Sequence, residues 1–143
     1  MTTLETMVAH HEIERALITF ARAMDERDWG CIAGILTEDC VVNVGDGVLQ
    51  GSAAFIANLR RYLDPCGPTQ HLLGNLIVEV DGEEARSRCY VSGQHIGADE
   101  RAHLTFVTLG DYHDRWRRIE GAWRMVARVK YNRAHIGSLE IFG

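Results

Sequence analysis

Residues 64–81, DPCGPTQHLLGNLIVEVD, divide the chain into two halves of different character. The two prolines and the glycine at the start of this stretch resist helical continuation, so a helix that reaches this point ends here. From residue 70 onward apolar and polar residues alternate as far as Asp81-Gly82, a dipeptide typical of a hairpin turn. The stretch therefore predicts a change from helices to antiparallel strands.

Before this stretch, apolar residues recur at helical spacing. Ile13, Leu17, Phe20 and Met24 form one stripe of a helix that we predict over residues 4–27, with Thr3 or Thr6 as its N-cap. We also predict two shorter helices, at residues 29–36 and 52–63, and between them a hairpin at residues 40–50.

After the stretch, alternation predicts four long strands, at residues 70–81, 84–95, 103–118 and 122–131. Three helices followed by antiparallel strands are typical of the α+β class. A strongly twisted antiparallel sheet of this length curves around the helices and leaves a hollow. We therefore predict one cone-shaped domain spanning residues 1–143, with an internal pocket.

The composition limits the possible partners. The chain has 143 residues and a formal net charge of −5, which argues against a nucleic-acid partner because phosphate binding needs a basic face. No apolar run reaches the length of a membrane span, and the N-terminus lacks the pattern of a signal peptide, so we expect a cytoplasmic protein. The four cysteines form no CxxC pair and are expected to be reduced thiols.

Asp25 and His71 are the residues on which catalysis could depend. Asp25 follows the last apolar position of the first helix, and His71 begins the first long strand. Each has a simpler interpretation, as a surface aspartate at a helix end and as a histidine bonded to a backbone carbonyl. If the two meet, the carboxylate fixes the imidazole tautomer and leaves the other ring nitrogen free as a base. Their spacing in the sequence does not decide between these alternatives.

Three motifs together resemble the nuclear-transport-factor-2-like superfamily, and within it the SnoaL-like branch that includes scytalone dehydratase and hexachlorocyclohexane dehydrochlorinase. They are Ala23-Met24-Asp25-x-x-Asp28-Trp29, Thr69-Gln70-His71-x-x-Gly74-Asn75 and Arg118-Ile119-Glu120-Gly121-Ala122-Trp123-Arg124. The resemblance implies that Asp25 orients His71 and that His71 removes a proton in an elimination. It also implies that Arg128 stabilises developing negative charge or a leaving anion.

The chain departs from scytalone dehydratase at several positions. Met24 and Val44 stand where that enzyme has tyrosines, so we do not expect scytalone to be the substrate. Asn43, His95 and Tyr112 are the remaining polar candidates for the pocket wall. No histidine or cysteine cluster has metal-ligand spacing, and no phosphate-binding loop is present, so we expect no metal and no cofactor.

Two functions of different class remain open. The first is a cofactor-independent lyase or isomerase that acts on a small cyclic or aromatic compound, because the predicted pocket is mostly apolar. The second is a non-catalytic binding or assembly module, such as the small subunit of a ring-hydroxylating dioxygenase. We also predict a homodimer or higher oligomer through the outer face of the sheet, where Leu104, Phe106, Val107, Met125, Ala127 and Val129 are the apolar candidates.

Overall fold

The computed structural model describes all residues 1–143 and has three α-helices on one side of a six-stranded sheet. The helices are α1 (Thr3–Glu26), α2 (Trp29–Ile35) and α3 (Ser52–Leu63). The strands are β1 (Leu36–Asn43), β2 (Val48–Gln50), β3 (Cys66–Asp81), β4 (Glu84–Gly97), β5 (Thr105–Ile119) and β6 (Ala122–Gly137). Short 3₁₀ turns lie at Asp99–Arg101 and Leu139–Phe142. The predicted α+β class is confirmed.

Helix α1 begins and ends at residues that satisfy its free backbone groups. Thr2, and not Thr3 or Thr6 as expected, is the N-cap, and Thr2 and Glu5 form a capping box. At the other end Arg27 adopts the left-handed conformation, with φ of 59°, and its amide donates to the carbonyl of Met24. The predicted apolar stripe of α1 is buried. This stripe packs against the inner face of the sheet, where Trp116 and Met125 are also buried.

The sheet has the order β2-β1-β6-β5-β4-β3 and is curved and unclosed. Four of its five pairings are antiparallel, as predicted, but β1 pairs with β6 in parallel, so the sheet is mixed. The two strands are far apart in the chain, and residue alternation carries no information on strand direction. Strand β6 also extends beyond the predicted residue 131, because its ladder with β5 continues to the pair Phe106 and Gly137.

Two further expectations from the sequence can be compared with the structure. All four cysteines are free thiols, as expected. None of the helices combines the length and the apolar character that a bilayer-spanning segment requires.

Candidate active site

A cavity of about 530 Å³ lies between the helices and the inner face of the sheet. Its volume is within the range of pockets that hold small organic molecules. Half of its 22 lining residues are hydrophobic, among them Met24, Val44, Phe55, Leu59, Leu63 and Phe106. Met24 and Val44 therefore line the cavity with apolar side chains.

Asp25 and His71 meet at the edge of this cavity. Nδ1 of His71 lies 2.7 Å from Oδ1 of Asp25, and the backbone amide of His71 donates to Oδ2 at 2.9 Å. A carboxylate only accepts, so Nδ1 carries the proton and Nε2 of the neutral ring keeps a free lone pair. Burial raises the pKa of Asp25, but hydrogen bonds from His71 and Thr69 outweigh it and bring the pKa below its usual value. The pair therefore favours the ionised form of Asp25 and, for a neutral imidazole, the tautomer with its proton on Nδ1.

Arg27 ties the end of α1 to the start of β3. Its guanidinium donates to the hydroxyl of Thr69 at 2.7 Å and to the carbonyl of Gly67 at 2.9 Å. The Thr69 hydroxyl in turn donates to Oδ1 of Asp25 at 2.9 Å. Because Arg27 also donates to the carbonyl of Met24, it holds both elements that carry the Asp25–His71 pair. Arg27 and Thr69 are positioning residues that the sequence did not single out.

Gly93 makes room for the ring of His71. The two residues are partners in the β3–β4 ladder, and Gly93 pairs with Thr108 on the other side. An ideal Cβ at Gly93 would lie 3.1 Å from the His71 ring carbon Cδ2, 3.2 Å from Nε2 and 2.9 Å from Oγ1 of Thr108. Any larger residue at this position would displace the imidazole or the threonine.

His95 lines the cavity as a neutral hydrogen-bond acceptor. It is 6% exposed, its Nδ1 lies 2.9 Å from the carbonyl of Phe106, and its ring packs edge-on against His71. A carbonyl only accepts, so Nδ1 is the donor. Burial lowers the pKa of His95 to about 4. Near neutral pH the Nε2 atom of this ring therefore carries a lone pair.

Arg128 and Tyr112 form a buried cationic wall. The Arg128 guanidinium makes a two-point ion pair with Asp114, at 2.7 and 3.0 Å, and lies 3.6 Å from the centre of the Tyr112 ring. Both Arg128 and Tyr112 line the cavity. Burial raises the pKa of Tyr112 to about 12, so its phenol stays neutral near pH 7. The guanidinium Nη1 makes no hydrogen bond to the protein, yet no fully buried polar atom lacks a partner, so Nη1 is open to the cavity.

The structure corrects the prediction for Asn43. This residue does not line the cavity. Its Oδ1 instead accepts a hydrogen bond from the amide of Gly45 at 2.9 Å, which closes the turn before β2. Asparagine ahead of a glycine-rich turn is a common signal for this local arrangement, and here it took precedence over the side-chain alternation of the strand.

Two parts of the cavity wall were absent from the sequence-based prediction. Lys130 lines the cavity two residues after Arg128, and it is the only lysine among the 15 Lys and Arg residues of the chain. The sequence alone shows that the chain has a single lysine. The C-terminal turn also contributes: Leu139 and Phe142 line the cavity, and Ile141 is fully buried. No group of three or more His, Cys, Asp or Glu side chains is arranged to hold a metal ion.

Comparison with known proteins identifies the family. Residues 5–129 match the family described as the SnoaL-like domain. The chain belongs to this family. The SnoaL-like protein is 29% identical over 121 residues to Rv2910c, an uncharacterized protein of Mycobacterium tuberculosis, and the match covers 83% of this chain and 82% of the relative. The resemblance found in the sequence motifs is thereby confirmed.

Solved structures share the fold of this SnoaL-like protein. One is a proposed scytalone dehydratase from Novosphingobium aromaticivorans, with a TM-score of 0.87, 22% identity and coverage of 96% of this chain and 92% of that one. Another is the hexachlorocyclohexane dehydrochlorinase LinA-type3 from Novosphingobium barchaimii, with a TM-score of 0.83, 16% identity and coverage of 96% and 95%. At these identities the likeness shows the cone-shaped fold alone.

Proposed function

We propose that the cavity is the active site of a cofactor-independent lyase or isomerase, in which His71 removes a proton from a small cyclic or aromatic compound. The observation that carries the proposal is the contact of 2.7 Å between Asp25 and His71 beside the cavity. It leaves Nε2 of the imidazole as a base, and a base held in this way contributes about 10²–10⁴ in rate. The names of the two structural neighbours, a dehydrochlorinase and a proposed dehydratase, both denote eliminations.

The proposed reaction begins with transfer of a proton from substrate carbon to Nε2 of His71. In the lyase case the electron pair of the broken C–H bond forms the new double bond. A halide then leaves as its anion, or a hydroxyl group leaves as water after taking the proton back from His71. In the isomerase case the imidazolium returns the proton to another carbon. Asp25 stabilises the imidazolium, and Nη1 of Arg128 stabilises negative charge that develops on the substrate.

Exchange of substrate hydrogen for deuterium tests the proton transfer without knowledge of the final product. A panel of cyclic ketones and halogenated cyclohexenes, incubated with the protein in D₂O, would be followed by NMR. We expect exchange or elimination in at least one compound, and a loss of about 10²-fold or more in both His71→Ala and Asp25→Asn. His10→Ala, on the exposed face of α1, is the matched control and should behave as the parent. Full activity in both dyad variants would show that another group is the base, and the absence of exchange and elimination in every compound would favour the non-catalytic binding module.

We also propose that copies of the chain associate through the outer face of the sheet. Exposed apolar side chains lie on adjacent strands there. Leu72 and Leu109 fall in one row of the ladder with Ser92 between them, and Tyr90 and Tyr131 fall in the next row with Asp111 between them. Such a patch on a small protein is typical of an interaction surface. Two of the residues named from the sequence, Phe106 and Met125, are buried and therefore do not belong to this face.

A further inference from the structure

Lys130 is a mostly buried cation without a partner in the protein. It takes part in none of the ion pairs of the structure and in none of its side-chain hydrogen bonds. Since no fully buried polar atom lacks a partner, its ammonium group reaches the open cavity. A charge removed from bulk water without a counter-charge is unfavourable unless something else compensates it.

The positive charge of Arg128 nearby makes a negatively charged partner for Lys130 more favourable still. Arg128 lies two residues earlier on the same face of β6, and Tyr112, over whose ring Arg128 lies, is the ladder partner of Lys130. Burial lowers the pKa of Lys130, and Arg128 lowers it further. Asp114 already neutralises Arg128 through a two-point ion pair, so it does not serve Lys130.

Other carboxylates near the cavity are also engaged elsewhere. Asp46 lines the cavity, accepts a hydrogen bond from Tyr62 at 3.0 Å and forms no ion pair with Lys130. Arg133 pairs with Asp111, and Asp25 is bound by His71. The cavity therefore contains one cation to which no carboxylate of the protein is bonded.

The side-chain path of Lys130 also suits a ligand contact. The stem passes over Gly110, where an ideal Cβ would lie 3.4 Å from Cε of Lys130. The absence of a side chain at Gly110 leaves space beside the lysine stem on the inner face of the sheet. His71 lies on β3, three strand positions from β6, so the base and the ammonium group line the same cavity from separate strands.

We propose that the ligand of the cavity is a cyclic or aromatic organic anion, such as a carboxylate or a phenolate, whose charged group pairs with Lys130. The apolar lining receives the ring, and Lys130 receives the charge. This inference rests on the proposed function only in placing the ligand in this cavity, because the pairing is independent of any proton transfer by His71. It narrows the substrate class from cyclic compounds in general to those that carry a negative charge.

Matched acid and amide pairs test the inference by calorimetry. The probes are benzoate against benzamide, and cyclohexanecarboxylate against cyclohexanecarboxamide, which differ in charge but hardly in shape. We expect the anion of each pair to bind about 10- to 100-fold more tightly than its amide, as for a hydrogen bond to a charged group. Lys130→Met should remove this preference and change amide affinity less than about 2-fold. Lys130→Arg should retain most of the preference.

Because the chain has a single lysine, NMR gives a direct second readout. Protein labelled with ¹³C at lysine Cε has one lysine cross-peak, and at saturation this peak should shift further with benzoate than with benzamide. Arg118→Met, which removes an exposed charge at the far end of β5, is the control for general electrostatic attraction and should keep the parental preference. Retained binding of benzamide and unchanged thermal unfolding show that Lys130→Met is folded.

Three results would overturn the inference: equal affinity for acid and amide, a preference that survives in Lys130→Met, or no binding of any probe at millimolar concentration. Benzoate offers no proton for the proposed chemistry, so these measurements stand apart from the deuterium-exchange assay. Charge-selective binding together with absent exchange would keep Lys130 as an anion site and reject the catalytic proposal. Deuterium exchange together with equal binding of acid and amide would keep the catalytic proposal and reject Lys130 as an anion site.

Discussion

Part of the destabilisation that acidification causes in this protein should come from His95. Burial lowers the pKa of its ring to about 4, whereas an unfolded histidine has a pKa near 6.5. Between these values the unfolded chain binds a proton that the folded chain does not, so the free energy of unfolding falls as the pH is lowered through this window. The stabilising contribution is fully present above about pH 6.5 and is lost progressively towards pH 4.

The size of the effect follows from the shift. The pKa of His95 is about 2.5 lower in the folded protein than in the unfolded chain. This difference corresponds to roughly 3 kcal/mol of unfolding free energy when the pH falls from well above 6.5 to well below 4. At pH 4.5 most but not all of this is lost, and the ring edge that faces the cavity is partly screened by solvent. We therefore expect His95 to account for about 2 kcal/mol of the stability difference between pH 7.5 and 4.5.

The measurement compares the parent with His95→Asn, in urea unfolding followed by tryptophan fluorescence at both pH values. The asparagine amide can still donate to the carbonyl of Phe106, as Nδ1 of His95 does at 2.9 Å, but it does not titrate. Other groups titrate equally in the two proteins, so their effects cancel in the comparison. If both proteins lose the same free energy on acidification, within about 0.5 kcal/mol, the assignment of a neutral, buried His95 is wrong.

Three further changes have expected outcomes. Asp114→Asn leaves the buried Arg128 without its counter-charge and should cost about 3 kcal/mol in urea unfolding; a loss below about 1 kcal/mol would contradict the buried pair. Gly93→Ala places a methyl group 3.1 Å from the His71 ring and should lower kcat/KM on any substrate found by about 10²-fold, whereas unchanged kinetics would show that the ring has room to move. Leu109→Arg should reduce the mass of the assembly in light scattering, and a parent that already has the monomer mass of 16.1 kDa would refute association.

The sequence predicts the local elements of this fold well and their long-range pairing less well. The stripe of α1 and the turn at Asp81-Gly82 depend on neighbouring residues, and both helix and hairpin lie where these patterns place them. The parallel pairing of β1 with β6 joins two strands that are far apart in the chain. Nothing within Leu36–Asn43 encodes that choice.

For the candidate site, too, the sequence predicts features that depend on neighbouring residues better than contacts between distant ones. Strand alternation predicts that Asn43 faces the pocket, but its side chain accepts a hydrogen bond from Gly45 in the turn that follows. The contact between Asp25 and His71 spans 46 positions and was expected only through resemblance to a family. Lys130 could have been recognised as unusual from composition, although its place in the cavity depends on the irregularity between Arg115 and Trp116, where the register of β5 on β6 shifts.

The distribution of charge around the cavity explains why only a few groups are available to a ligand. Asp25, Arg128 and Arg133 are each bound by a partner on another element, at sequence separations of 46, 14 and 22 residues. Those pairings fix the direction and charge of each side chain before any ligand enters, which lowers the cost of ordering them on binding. The unpaired groups include the Nε2 lone pairs of His71 and His95, Nη1 of Arg128 and the ammonium of Lys130. A base and two cation donors in one cavity suit an anion from which a proton is to be removed, because the second negative charge would develop where positive charge is already in place.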